Sequence, residues 1–461
     1  MHRCGKTGGT PMRNSVEVDN DVLIVGGGAA GLYAAYRLQQ ANISFKLLEA
    51  DDHVGGRVHS RREIHSHLGL VLDDGANLIN STDTLAIRLM NSFGITYVRR
   101  LKPGVDGMNY LQGGQLYDQS GMDRLLFRES RTAMNHMLND QDDWRNDTER
   151  DFNPKFIDES IASYLARCEA GPVLKAMLKS FFWSEYGHQI EDLNLHVLFD
   201  YLEIDLAAPN FRLIPNVDEA YTVPGGTGQI ANALEKATRQ NIQYGRRVNR
   251  IEEQNGFVSV TAADASQNQE THTARQIFFA APLHSLRKIS VSVDGLSQHA
   301  IDQAQTSSYA SGTKLHLKFT PGFDRLYAYT GILLTDTGEQ IWSSSTGQGG
   351  AGLLTVLTGP LPEGRAAAVA HAGRVLLSLD GICPGLSELY VGSERSDAPM
   401  SYSGSLHPGE VAHLAIHNGG TRWATIGEAS SGDLQGYLEG ALRTAEKAVC
   451  RYLLQKRAIR R

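Results

Sequence analysis

This sequence has few cysteines, and they lie far apart. The four cysteines, Cys4, Cys168, Cys383 and Cys450, form no Cys-x-x-Cys pair, which is the usual signal of a structural zinc site or a dithiol redox centre. Histidines such as His65 and His67 fit a polar strand face better than a ligand set. We therefore expect reduced thiols in a cytoplasmic protein, with no disulfide framework and no metal.

Long apolar runs and an excess of one charge are missing too. No segment supplies the roughly 18 or more consecutive apolar residues of a membrane span. Residues 1–19 lack the apolar centre of a signal peptide and are expected to form a disordered extension. The formal net charge is only −7 over 461 residues, so the composition gives no reason to expect nucleic acid as a partner.

A glycine-rich turn stands near the start of the chain, in DVLIVGGGAAGLYAAYRL, residues 21–38. A branched apolar run is followed by glycines and then by small and apolar residues at helical spacing, which predicts strand, turn and helix. Gly26, Gly28 and Gly31 fit G-x-G-x-x-G, with Ala30 before the last glycine. In this fingerprint the glycines permit a tight turn, backbone approach to a pyrophosphate and close packing of helix on strand.

The next predicted strand, FKLLEA, ends in Glu49 and Ala50. A carboxylate at this distance from the glycines can bind both hydroxyls of an adenosine ribose and would repel a 2′-phosphate. NADP is therefore disfavoured, whereas NAD and FAD both remain open at this point.

A second glycine pair decides between them. In DDHVGGRVHS, Gly55 and Gly56 precede Arg57, and an NAD domain has no need of this pair. The stretch resembles the motif D-R-x-G-G-R-x-x-T/S of the flavin-containing amine oxidase family, which includes monoamine, polyamine and L-amino-acid oxidases. His53 replaces the first arginine of that motif. The resemblance implies that FAD is the cofactor.

Further segments extend this resemblance over most of the chain. DDGANLIN is similar to the family segment beneath the flavin ring, YGRRVNRIEEQNGFVSVTA to a hairpin on the adenine side, and WATIGEASSGDLQGYLEGALRTAEKAV to the C-terminal strand, Gly-Glu loop and helix. The resemblance implies that the following residues contact FAD: Gly75, Ala76, Asn77, Val248, Glu428, Gly436, Tyr437 and Leu438.

The order of these segments predicts an α/β protein with a discontinuous domain. We expect a Rossmann-like FAD-binding domain from residues 20–82, 215–282 and 390–461, and an α+β substrate-binding domain from residues 83–214 and 283–389. Within the latter, IDESIASYLARC and PVLKAMLKSFFWSEYG have helical periodicity, and GTKLHLKF alternates as a strand does.

Three residues are candidates for the chemistry. Alternation places Lys314 on the polar face of its strand, where the pattern alone fits a solvated lysine, but the family has there a lysine bonded through water to flavin N5. Tyr437 and Tyr402 resemble the two aromatic walls that orient the amine, although Tyr402 also fits a packing role. Ser401 stands where some members carry a cysteine linked to FAD, so we expect non-covalent FAD.

The resemblance implies an FAD-dependent amine oxidase that converts an amine to an imine and O2 to H2O2. The family's amino-acid oxidases carry an arginine shortly after Asp-x-Gly-Ala, but this chain has Asn77 to Asn80 there, which favours an amine without an α-carboxylate unless Arg212 replaces that arginine. Alternatives are an L-amino-acid oxidase, a C–C desaturase similar to phytoene desaturases or protoporphyrinogen oxidase, and an inactive flavin-binding scaffold. The sequence leaves the choice between monomer and homodimer open.

Overall fold

The structure is a computed structural model, and it describes residues 18–63, 68–100, 108–150, 153–207, 210–213, 218–306, 309–326, 331–402, 407 and 422–459. Its strands, in chain order, are β1 Asn20–Val25, β2 Phe45–Leu48, β3 Ser60–Arg62, β4 Val71–Asp73, β5 Leu78–Ile79, β6 Val98–Arg99, β7 Met108–Gln112, β8 Gln115–Tyr117, β9 Leu202–Asp205, β10 Asn210–Leu213, β11 Tyr221–Thr222, β12 Ile242–Gln243, β13 Arg247–Gln254, β14 Phe257–Ala263, β15 Gln269–Phe279, β16 Ser290–Ser292, β17 Tyr309–Phe319, β18 Ile332–Thr335, β19 Glu339–Ser343, β20 Gly352–Thr358, β21 Tyr390–Tyr402 and β22 Trp423–Thr425.

The α-helices occupy the remaining long segments, with short 3₁₀ turns between some of them. They are α1 Ala29–Gln40, α2 Thr84–Phe93, α3 Gln119–Asn146, α4 Pro154–Ile157, α5 Ile161–Arg167, α6 Pro172–Tyr186, α7 Leu195–Asp200, α8 Gly228–Thr238, α9 Gln298–Thr306, α10 Phe323–Leu326, α11 Arg365–Asp380 and α12 Leu438–Ile459. Helices and strands alternate along the chain, which confirms the α/β class.

The first sheet has the order β12-β2-β1-β15-β14-β13-β16, with β22 beside β15. Strands β12, β2, β1, β15 and β22 run parallel, and β13, β14 and β15 form an antiparallel meander. Val22, Leu23 and Ile24 are fully buried, because a parallel sheet is covered on both faces. The hairpin predicted around Val248 is thus confirmed as β13 and β14.

One face of this sheet is covered by α1, α8 and α12, whose apolar residues share one core. The predicted inward face of α12 is confirmed, since Ala441, Leu442, Ala445, Val449 and Tyr452 are buried. The helix begins at Leu438, two residues after the predicted start.

The second sheet has the order β21-β17-β20-β19-β18-β7-β8. Strand β17, next to the edge strand β21, confirms the strand predicted from GTKLHLKF, and α6 confirms the helix predicted from PVLKAMLKSFFWSEYG. Leu315, Leu317 and Phe319 pack on α11 in one core. Helices α3 and α5 to α7 form another, rich in aromatic rings.

Three segments pair or pack differently from the predicted domain boundaries. Helix α2 packs against the first sheet. The segment with strand β16 and helix α9 also belongs to the first sheet, since β16 pairs with β13 and α9 packs in a core of that sheet. Strand β21 belongs to the second sheet. The motifs behind the prediction mark contacts to a cofactor, whereas sheet membership depends on strand pairing over long sequence distances. Separately, in the described part of the chain no helix is long and apolar enough to cross a bilayer.

Candidate active site

The first glycine turn joins β1 to α1 in a geometry that only glycine permits. Gly26 has a φ of 104°, and a Cβ on Gly31 would lie 2.0 Å from the Gly26 carbonyl oxygen. A Cβ on Gly28 would meet nothing within 4 Å. Helix α1 begins at Ala29 and Ala30 with no side-chain cap and no acidic residue in its first turn. Uncapped N–H groups at a helix start favour an anion, so this geometry is compatible with the predicted pyrophosphate site.

Glu49 lies at the end of β2, beside this turn. Its Oε2 accepts a hydrogen bond from the Gly27 N–H at 2.5 Å, and its Oε1 accepts one from the Asp51 N–H at 2.9 Å. The Arg246 N–H donates to the Glu49 carbonyl at 2.7 Å, which brings Val248, two residues later, to the same end of the sheet. Glu49 and the start of β13 thus lie at the same end of the sheet, as the prediction of an adenosine site there requires.

Arg57 connects the second glycine pair to the C-terminal motif. Its Nη1 lies 2.6 Å from Glu428 Oε1, and Glu428 Oε2 accepts a hydrogen bond from the Gly436 N–H at 2.9 Å. Glu428 is buried, with 5% exposure. Gly56 has a φ of 53° and allows the chain to turn into Arg57. Two motifs distant in sequence therefore meet at one ion pair.

The Asp-x-Gly-Ala segment follows β4 and lies against Arg57. A Cβ on Gly75 would stand 1.9 Å from the Arg57 carbonyl oxygen, which excludes any larger residue. The Ala76 N–H donates to that same oxygen at 2.8 Å. Asn77 is buried; its side chain donates to Asp73 at 2.8 Å and accepts from Trp342 Nε1 at 2.7 Å. The segment is thus held by the Arg57 carbonyl, by Asp73 on β4 and by Trp342 of the second sheet.

Lys314 lies on β17 and reaches this segment. Its Nζ donates a hydrogen bond to the Gly75 carbonyl oxygen and lies 5.7 Å from the centre of the Trp342 ring. Burial lowers the pKa of Lys314, while the nearby carboxylates of Asp73 and Asp74 oppose that shift. The side chain is therefore not the solvated strand lysine that alternation alone describes.

We infer from their burial and mutual electrostatic influence that Lys314 and four other titratable side chains line one enclosed space. Each retains accessible surface, yet burial is the main cause of every pKa shift among them, as expected for groups that line internal space. The four are Glu185, Tyr201, Glu219 and Tyr437.

The two carboxylates of this space have different partners, a neutral amide for Glu185 and an arginine for Glu219. Burial raises the pKa of Glu185 to about 7, and Gln340 Nε2 donates to its Oε1 at 2.7 Å. Arg100 Nη2 lies 3.4 Å from Glu219 Oε2. Burial also raises the pKa of Tyr437, and the neighbouring groups of Tyr201, Glu185 and Glu219 raise it further.

Sequence reasoning missed Glu185, Glu219 and Tyr201. A carboxylate near the end of the apolar helix FFWSEYG was the one available signal for Glu185. Tyr402 ends β21 opposite Tyr309, but its side chain and that of Ser401 lie outside the described residues, as do His65 and His67. Arg212, on β10, hydrogen-bonds to Asn210.

A family model described as flavin containing amine oxidoreductase matches residues 29–453. The chain belongs to this family. Flavin-containing amine oxidase B of Canis lupus familiaris is 24% identical over 93% of this chain and 85% of its own length. The L-amino-acid oxidase of Vipera ammodytes ammodytes is 22% identical over 66% of this chain, which spans 62% of that protein.

Solved structures of this family show the same fold. Cyclohexylamine oxidase from Brevibacterium oxydans IH-35A has a TM-score of 0.75 at 18% identity, covering 95% of this chain and 100% of that one. A double mutant of putrescine oxidase has a TM-score of 0.74 at 17% identity, with 94% and 99% coverage. The predicted Rossmann-like fold with a substrate domain, and membership of a flavin-dependent oxidoreductase family, are confirmed.

Proposed function

We propose that this protein is an FAD-dependent amine oxidase that oxidises a C–N bond to an imine and uses O2 as acceptor. The observation that carries the proposal is the contact between Lys314 and the Gly75 carbonyl, which joins the predicted catalytic lysine to the turn expected beneath the flavin ring. We also infer a cytoplasmic location, in keeping with Cys168 and Cys450, which form no disulfide.

The residues of the first glycine turn, Glu49 and the Arg57–Glu428 pair would hold the cofactor. Gly28 faces open space beside the N-terminus of α1, as a pyrophosphate requires. Bound FAD would accept a hydride equivalent from the carbon that carries the nitrogen, and O2 would take up the electrons as H2O2. With serine at position 401, we infer that FAD is bound non-covalently.

The enclosed space would bind the amine. Amines are cations in neutral water, and the carboxylates of Glu185 and Glu219 attract a cation while they repel a carboxylate. The rings of Tyr437 and Tyr201, with Tyr402 as the proposed second wall, would present electron-rich faces to the nitrogen. These charges favour an amine without an α-carboxylate. Because Arg100 lies close to Glu219, Glu185 in its ionised form would attract a substrate ammonium more strongly.

Lys314→Met tests the oxidase part of the proposal. Methionine keeps most of the apolar bulk and removes the charge, so we expect little change in FAD content. Flavin reduction by substrate should slow only modestly. Reoxidation by O2 passes through negative charge that the ammonium stabilises, so it should fall by roughly 10-fold, or about 1.4 kcal/mol in the barrier.

Stopped-flow absorbance at the flavin band measures both steps. Lys46→Met is the control, because Lys46 lies on β2, in the sheet that lacks β17. An unchanged reoxidation rate in FAD-loaded Lys314→Met protein would contradict the role of Lys314. It would also favour an acceptor other than O2, or the desaturase alternative.

A further inference from the structure

The polar face of β17 does not face water. Lys314, His316 and Lys318 alternate along the strand and share this face, and the side chains of His316 and Lys318 are 1% and 2% exposed. They lie against the β3–β4 pair, whose last residue is followed by Asp74 and Gly75. Burial and the neighbouring cations lower the pKa of His316 to about 3, so the histidine is neutral there.

A continuous chain of ion pairs crosses this contact. Lys318 Nζ lies 2.9 Å from Glu394 Oε1 and 3.4 Å from Glu63 Oε2. The other oxygen of Glu394 accepts a hydrogen bond from Arg61 Nη1. Arg61 Nε lies 2.9 Å from Asp74 Oδ2. The ion pairs thus run from β17 through β21 to β3 and on to the residue before Gly75.

These contacts close a ring, because the Gly75 carbonyl accepts the hydrogen bond of Lys314 and Lys314 is four residues from Lys318 on the same strand. Two sets of contacts therefore fix the position of Lys314 Nζ relative to the Asp-x-Gly-Ala turn. One is its own hydrogen bond to Gly75, and the other is the series of ion pairs from Lys318 to Asp74. Buried ion pairs lose much of their Coulomb gain to desolvation, and their best-attested role is to select one geometry. A lysine at a reaction centre must be held in one geometry, and such ion pairs can hold it there.

We propose that Glu394 is a positioning residue for Lys314, holding β17 in register with the turn expected beneath the flavin ring through Arg61 and Lys318. This inference rests on the proposed function only for the role of Lys314. It predicts that loss of the Glu394 charge displaces Lys314 Nζ from the Gly75 carbonyl without opening the FAD site.

The kinetic test is a double-mutant cycle. FAD-loaded protein is reduced with dithionite, so that no substrate is needed, and mixed with O2. Glu394→Gln should slow reoxidation by roughly 5-fold in the wild-type background, a coupling usual for neighbouring charged groups. It should have no further effect in the Lys314→Met background. Glu253→Gln is the matched control. The side chains of Glu253 and Glu394 are both 9% exposed. Glu253 lies on β13 of the first sheet and forms an ion pair with Arg422 at 2.9 Å.

A second readout needs no cofactor. In the apoprotein, Lys314 should react with acetic anhydride roughly 5-fold faster in Glu394→Gln than in wild type or Glu253→Gln, as measured by mass spectrometry of the Lys314 peptide. Arg61→Lys, which keeps the charge but cannot make the forked contact, serves if Glu394→Gln does not fold. It should give the same two changes.

The outcomes separate the two proposals. If Lys314→Met slows reoxidation but Glu394→Gln does not, and labelling of Lys314 is unchanged, the positioning role is overturned and the proposed function stands. If Glu394→Gln slows reoxidation equally in both backgrounds, its effect does not pass through Lys314 and the inference is also wrong. If Lys314→Met has no effect, the proposed oxidase role and this inference fail together.

Discussion

Single atoms determine the shape of the cofactor turn. Gly31 and Gly75 are each within about 2 Å of a backbone carbonyl oxygen once a Cβ is added, so neither position tolerates a side chain. Gly28 differs, since its φ of −71° suits any residue and its neighbourhood is empty. The glycines of one motif therefore serve two different ends, folding and ligand approach.

Gly31→Ala and Gly28→Ala separate these ends. Gly31→Ala should destabilise the apoprotein by about 3 kcal/mol through overpacking. Gly28→Ala should leave the apoprotein within about 0.5 kcal/mol of wild type but weaken FAD binding by roughly 10-fold or more.

Urea unfolding measures the first effect. FAD content, read in the supernatant after acid precipitation, measures the second. Flavin that stays with the washed wild-type pellet would refute non-covalent binding. Equal effects of the two substitutions on apoprotein stability would contradict the division of roles.

At the scale of elements, motif residues could be predicted and their partners could not. The glycine turns, Glu49 and the β17 strand follow from local spacing, because turn geometry and alternation are local properties. Glu394 and Trp342 carry no local signal, and Glu185 has only its place near the end of an apolar helix. They reach the site only through pairing of β21 with β17 and packing of α6 on the second sheet.

The start of helix α2 also depends on a residue that local sequence patterns cannot identify. The Gly-Tyr-x-Glu-Gly-Ala stretch predicts α12, yet Glu439 in it also contacts another helix. Its carboxylate accepts hydrogen bonds from the Leu85 and Ala86 N–H groups at the start of α2, satisfying donors that a helix leaves open. This contact joins segments more than 350 residues apart in sequence, so no window of the sequence contains it.

At the scale of the whole molecule, the enclosed space should make stability depend on pH. Burial raises the pKa of Glu185 to about 7 from an ordinary 4.5, so the folded apoprotein binds an extra proton between these values. The stability contributed is full below pH 4.5 and is lost as the pH rises through about 7. Glu185→Gln should therefore stabilise the apoprotein at pH 8, by at most about 3 kcal/mol, and have little effect near pH 5.

Chemical unfolding at several pH values measures this difference. Glu149→Gln is the control, since Glu149 is exposed. A stability gain for Glu185→Gln that is independent of pH would show that Glu185 does not titrate in this range.

We propose that this protein oxidises amines without an α-carboxylate and passes the electrons to O2. The most direct measurement mixes FAD-loaded protein anaerobically with matched pairs that differ only in that carboxylate: phenylethylamine with L-phenylalanine, and putrescine with L-ornithine. We expect an amine to bleach the flavin absorbance faster than its amino acid, and admitted O2 to restore the absorbance with one H2O2 formed per flavin. Faster bleaching by the amino acids, or no bleaching by any amine in protein that retains FAD, would contradict the account.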